Sequence, residues 1–125
     1  MRIHLRVKRI YDEPSASDGC RILVDRLWPR GIKKSEAALD RWEKLLAPSN
    51  ELRKWFHADS TRFDEFANRY RRELDERAED ISKLIASLTT DTLTLITSTR
   101  DPESAHVGVL RDYLLARFQQ CDAGD

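Results

Sequence analysis

Polar and apolar residues alternate from the first positions of the chain. In "RIHLRVK", residues 2–8, Ile3, Leu5 and Val7 face one way, and Arg2, His4, Arg6 and Lys8 face the other. That period of two predicts a half-buried strand with a basic, solvated outer face. "YDEPSASDG" breaks the pattern with Pro, Ser, Asp and Gly and predicts a loop. A second strand is expected over "RILVDRL", residues 21–27, where Ile22, Leu23 and Val24 run together as in a strand buried on both faces. Pro29 and Gly31 end it.

The pattern then changes to the helical period. Asp40 and Glu43 hold capping-box spacing before "RWEKLLA", which predicts a helix there. Pro48, Ser49 and Asn50 predict a break and a new start, followed by a short helix with Leu52, Trp55 and Phe56 on one face. "TRFDEFANRYRREL" is the clearest helix. Phe63, Phe66, Ala67, Tyr70 and Leu74 recur at the helical period behind a Thr61/Asp64 start. A further helix is expected over about residues 78–88, with Ile81, Leu84, Ile85 and Leu88 on its apolar side. Leu93 and Leu95 alternate with threonines as in a strand. Asp101 then caps a last helix with Pro102 in its first turn and Val107, Leu110, Tyr113, Leu114 and Phe118 as the buried stripe.

Strands separated by helices predict one α/β domain over residues 1–125, with a small, mainly parallel sheet of about three strands covered by several helices. The direction of the first strand is left open, because a loop rather than a helix joins it to the second.

Composition adds limits. The chain has 22 Lys/Arg against 22 Asp/Glu. Residues 1–62 hold 14 basic and 9 acidic residues, and residues 63–125 hold 8 and 13. A zero net charge argues against nucleic-acid binding, which needs a dominant positive field, and leaves room for a local positive pocket. No apolar run reaches membrane-span length, and the first residues do not form a signal peptide, so a cytoplasmic address is expected. Cys20 and Cys121 are far apart and read as two reduced thiols, with Cys121 in a polar tail. The three histidines, His4, His57 and His106, show no metal-ligand spacing, so no metal site is expected and no cofactor is named.

Candidate chemistry gathers at two strand ends, Asp25–Arg26 and Ser98–Thr99–Arg100–Asp101. In open α/β sheets, ligands bind beyond the carboxyl ends of strands. If these two strands are parallel, both ends share one rim. There Arg26, Arg30 and Arg100 can grip a phosphate or carboxylate, Ser98, Thr99 and Asp101 open a helix toward it, and Trp28 can wall the site. His106, early in the last helix, and Asp25 are the candidates for moving protons. Structural readings stand beside these. Asp25 can pair with Arg100 and Arg26 with Asp101 as a salt-bridged corner, Trp28 can be core, and His106 can be a packing histidine. In "ELRKWF", Arg53 and Lys54 are either plain exposed residues or an extension of the positive rim. The residues do not decide between a small-anion site, with or without catalysis, a protein-interaction module, and nucleic-acid binding through the basic N-terminal half. They do not give the oligomeric state.

The chain resembles the YeaO-like family of small bacterial proteins, domain of unknown function 488. The resemblance rests on "VKRIYDEP", "DGCRILVDRLWPRGIKKSEAALDRW", "LAPSNELRKWF", "RFDEFANRYRREL" and "TLTLITSTRDPESAHVGVLRDYL", in that order. It implies a compact cytoplasmic α/β domain and carries over no activity. Its broader relatives have an Asp/Arg strand end early and a Cys/Arg/Asp-rich strand end before a late histidine, and Asp25, Arg26, Arg100, Asp101 and His106 fall on those positions. Two departures follow from the same resemblance. Ser104 and Ala105 stand where His–Asn is usual, which weakens a catalytic role, and Cys20 stands where an aromatic residue is usual, which makes it a poor nucleophile.

Overall fold

A computed structural model describes residues 3–119. Arg2 and Cys121 lie outside the described residues. Four strands, β1 (His4–Arg9), β2 (Cys20–Leu23), β3 (Arg41–Trp42) and β4 (Thr92–Thr97), form one sheet in the order β1-β4-β2-β3. Every neighbouring pair is parallel, including β1 with β4, which fixes the direction of the first strand. The carboxyl ends of β1, β2 and β4 therefore lie along one rim. The helices are α1 (Lys34–Ala37), α2 (Asn50–Ala58), α3 (Phe63–Glu76), α4 (Ala78–Ala86) and α5 (His106–Leu114).

The fourth strand corrects the expected count of about three and replaces the helix expected after Asp40. Arg41 and Trp42 pair with Ile22 and Leu23, and the Glu43 amide donates to the Leu23 carbonyl at 3.0 Å. Asp40 caps no helix; its carboxylate accepts from the Arg21 amide at 2.8 Å. Pairing with a buried strand overrides local capping spacing, and "KLL" closes as a single 3-10 turn.

The helices behave as their apolar periods dictate. Ser49 caps α2 by accepting from the Leu52 amide. Phe66, Ala67, Tyr70 and Leu74 of α3 are buried with Ile81, Leu84 and Ile85 of α4. With Val107, Leu110 and Leu114 of α5 they cover one face of the sheet, against Ile22, Leu93 and Leu95. The start of α5 differs from expectation. Asp101 caps a separate 3-10 turn, Pro102–Ser104, and α5 begins at His106.

The second face of the sheet carries Leu23 and Ile96, packed with Ala37, Ile32, Leu39, Trp28 and Trp42. Toward β1 this face is basic as expected, with His4 and Arg6 exposed and Lys8 half-buried. The 3-10 turn Ala16–Asp18 folds over it and buries Asp18 completely. Asp18 pairs with Arg21 at 2.6 Å and Lys8 at 3.0 Å, and accepts from the Ser15 amide at 3.0 Å. Burial alone would raise the Asp18 carboxyl; the Ser15 amide, Lys8 and Arg21 outweigh it and lower it from 3.8 to about 2.

Candidate functional site

Leu23 and Ile96 are register partners, so the residues just past each strand meet at the rim. Asp25 is 8% exposed there and accepts on both oxygens. Oδ1 takes the Thr97 hydroxyl at 2.7 Å, and Oδ2 takes the Ser98 amide and hydroxyl, each at 2.8 Å. His106, the first residue of α5, places Nε2 3.2 Å from Asp25 Oδ1 and 3.1 Å from the Val24 carbonyl. Both of those oxygens are acceptors, so Nε2 must carry the hydrogen. Burial pushes the Asp25 carboxyl up, but hydrogen bonds from His106, Ser98 and Thr97 outweigh it and bring it below its ordinary value. The partner of Asp25 is thus His106, not Arg100, and the carboxylate fastens β2, β4 and α5 together.

A cavity of about 450 Å³ opens beside this junction. Asp25, Arg26, Trp28, Arg30, Ser98, Thr99 and His106 line it, as the strand-end reading places them. Arg100 and Asp101 are not among its lining residues. Arg100 is exposed and has no ion pair among the described residues, while Asp101 turns back to the Glu103 amide at 3.1 Å and the Ser104 hydroxyl at 2.9 Å.

Helix α2 extends the rim through Arg53, one of the two readings of "ELRKWF", and adds Phe56 and His57, which the sequence reading did not place there. Arg53 and His57 are four apart on one helical face, and both line the cavity with Phe56 between them. Arg53 donates through Nη2 to Asn50 at 2.9 Å, while its Nε is buried without a hydrogen-bond partner. Arg26 donates through Nε to the Pro48 carbonyl at 2.8 Å. That carbonyl is held from below. Tyr70 donates to the Leu46 carbonyl, Arg77 to those of Leu45 and Ala47 at 2.8 Å each, and Glu73 grips the Ser49 amide at 2.8 Å and hydroxyl at 2.6 Å. The Arg30 side chain is exposed, and its carbonyl accepts from Tyr11 at 3.1 Å. The lining therefore sets three guanidinium groups against a single carboxylate, that of Asp25, which already accepts four hydrogen bonds.

Part of the lining is apolar. Phe56 stacks on buried Phe66 at 4.4 Å, and Trp28 stands edge-on to Trp42 at 5.3 Å. The Trp28 indole N–H donates to the Ile32 carbonyl at 2.7 Å, so Trp28 offers the cavity only its ring. Cys20 is at the amino end of β2, away from this rim, and burial, then the Asp40 charge, raises its thiol pKa. Among the described residues no group of three His, Cys, Asp or Glu side chains is arranged to hold a metal ion, and no helix is long and apolar enough to cross a membrane.

The likeness to known proteins runs over nearly the whole chain. A family model described as "Inactive DUF488-N3 subclade" matches residues 4–125. The chain is similar to the uncharacterized protein YeaO of Escherichia coli (strain K12), 43% identical over 112 residues, which covers 90% of this chain and 97% of YeaO. It is also similar to the uncharacterized proteins Rv3073c of Mycobacterium tuberculosis (strain ATCC 25618 / H37Rv) and Mb3100c of Mycobacterium bovis (strain ATCC BAA-935 / AF2122/97). Each is 42% identical over 113 residues, covering 90% of this chain and 95% of the relative. No solved structure matches.

Proposed function

The chain belongs to the YeaO-like DUF488 family, in the subclade described as inactive, and from that premise we propose that it binds a small anionic ligand in the rim cavity without transforming it. The observation that carries this reading is the charge of the lining, with Arg26, Arg30 and Arg53 facing a carboxylate whose oxygens are already engaged. Guanidinium groups match phosphate and carboxylate oxygens, which they can grip in bidentate fashion.

The same geometry supports binding over catalysis. Ser98 and Thr97 donate their hydroxyl hydrogens to Asp25, whose carboxyl is held below its ordinary value, so the base beside these hydroxyls is a weak one. The His106 Nε2 hydrogen points at two fixed acceptors. Asp25 and His106 act as positioning residues that hold the strand ends and α5 in place. Arg26, Arg30 and Arg53 bind, and Ser98 and Thr99 shape the floor.

Thermal-shift screening against phosphate esters, carboxylates and nucleotides tests the proposal. A ligand that raises the unfolding temperature of the wild type and of Arg100→Ala, but not of Arg26→Ala or Arg53→Ala, is the expected result. Stabilisation that survives both cavity variants, or that requires Arg100, would place the anion elsewhere.

A further inference from the structure

We infer that the ligand of this cavity joins an oxyanion to a flat apolar body, an aryl phosphate or aryl carboxylate being the simplest case. The inference rests on the anion-binding reading above and adds the chemistry of the ligand's other end. The cavity, at about 450 Å³, is many times larger than a bare oxyanion. A water takes roughly 30 Å³ of liquid, so the space would hold on the order of fifteen waters if an ion alone sat at the arginines.

The walls decide what fills the rest. Trp28, Pro48, Phe56 and Phe66 line the same cavity as the arginines. None of them has a hydrogen bond to give it. The Trp28 N–H is engaged with Ile32, the Pro48 carbonyl is engaged with Arg26, and the phenyl rings have no polar atom. A polar group pressed against this wall would lose its water without compensation, whereas an apolar group gains by leaving water. The rings are also held in fixed planes by their neighbours, Trp28 by Trp42 and Phe56 by Phe66. Fixed flat surfaces favour a planar guest, which stacks or meets them edge to face.

The charged and apolar surfaces belong to one cavity, so the guest must present both features within a single small molecule. The phosphate and carboxylate forms share the chemistry that the arginines read, and the two are separated by titration.

Isothermal titration calorimetry of the full chain with matched pairs, phenyl phosphate against methyl phosphate and benzoate against acetate, tests the inference. At least one aryl ligand should bind about tenfold or more tightly than its methyl counterpart, the gain expected from burying a ring. Trp28→Leu should shrink that ratio, weakening the aryl ligand more than its methyl counterpart. If Trp28→Leu does not fold, the wild-type ratio decides alone. Aryl and methyl ligands binding equally would overturn this inference and leave the anion site standing. Absence of binding by all four would overturn both.

Discussion

Replacing Asp25 with alanine should destabilise the protein strongly even though Asp25 lies at a rim. The carboxylate accepts from the Thr97 hydroxyl, the Ser98 amide and hydroxyl, and His106. His106 keeps the Val24 carbonyl and Ser98 is half-buried, so water or another acceptor partly compensates those two. Thr97 is fully buried and keeps no other acceptor for its hydroxyl among the described residues, and the Ser98 amide loses its partner. Orphaned buried donors cost about 1–3 kcal/mol each, and breaking a buried charged network costs about 3–5 kcal/mol. A loss of about 3 kcal/mol is therefore expected for Asp25→Ala. In urea, with a slope of about 2 kcal/mol/M, that moves the unfolding midpoint down by about 1.5 M. Arg100→Ala, on an exposed residue without an ion pair among the described residues, should stay within about 0.5 kcal/mol of wild type. The effect also has a pH signature. The folded carboxyl of Asp25 lies below its ordinary value, so its contribution is fully present above about pH 4 and fades as pH falls through that lowered value. A loss under about 1 kcal/mol at neutral pH would refute the claim that this carboxylate fastens the rim.

Two further predictions concern the sheet. The Asp18 carboxyl is lowered from 3.8 to about 2, so its stabilisation is present above about pH 4 and lost between there and about pH 2. Circular dichroism of wild type and Asp18→Asn should show a stability gap at neutral pH that closes across that window, and a gap constant from pH 7 to pH 2 would contradict the assignment. Gly19 has φ 64°, and a Cβ there would meet the backbone of Thr92. Gly19→Ala should cost more than about 1 kcal/mol, read as a fall in melting temperature of at least about 2 °C, and an unchanged melting temperature would exclude this close approach.

The parts of the fold that were legible in the sequence are those whose local pattern and tertiary role agree. The α3 stripe from Phe66 to Leu74 is periodic, and it is buried. The meeting of Asp25 with Ser98 also followed from sequence, since each stands just past a buried apolar strand and the strands are parallel neighbours. Arg41–Trp42 was misread because a capping-box spacing is a local feature, whereas pairing with β2 is not. Asp18 looked like an ordinary loop acid, and only the fold of its turn over the sheet places it against Arg21 and Lys8. The choice between Arg100 and Arg53 as the third guanidinium is of the same kind. Arg100 stands beside the strand end in sequence but outside the cavity, whereas Arg53 reaches the cavity because α2 folds back across the rim. The basic pair in "ELRKWF", open to reading as an extension of the positive rim, was the sign of it in the sequence.

The central claim, that the arginine-lined cavity receives an oxyanion, is tested most directly at Arg26 and Arg53, which both line it. Titration of a phosphate ester into the uniformly ¹⁵N-labelled protein, followed through the arginine Nε–H resonances, reports which guanidinium groups the anion reaches. The account predicts saturable shifts of the Arg26 and Arg53 resonances, with Arg100 unmoved. Arg26 and Arg53 resonances that both stay in place while phosphate esters and carboxylates bind would contradict it.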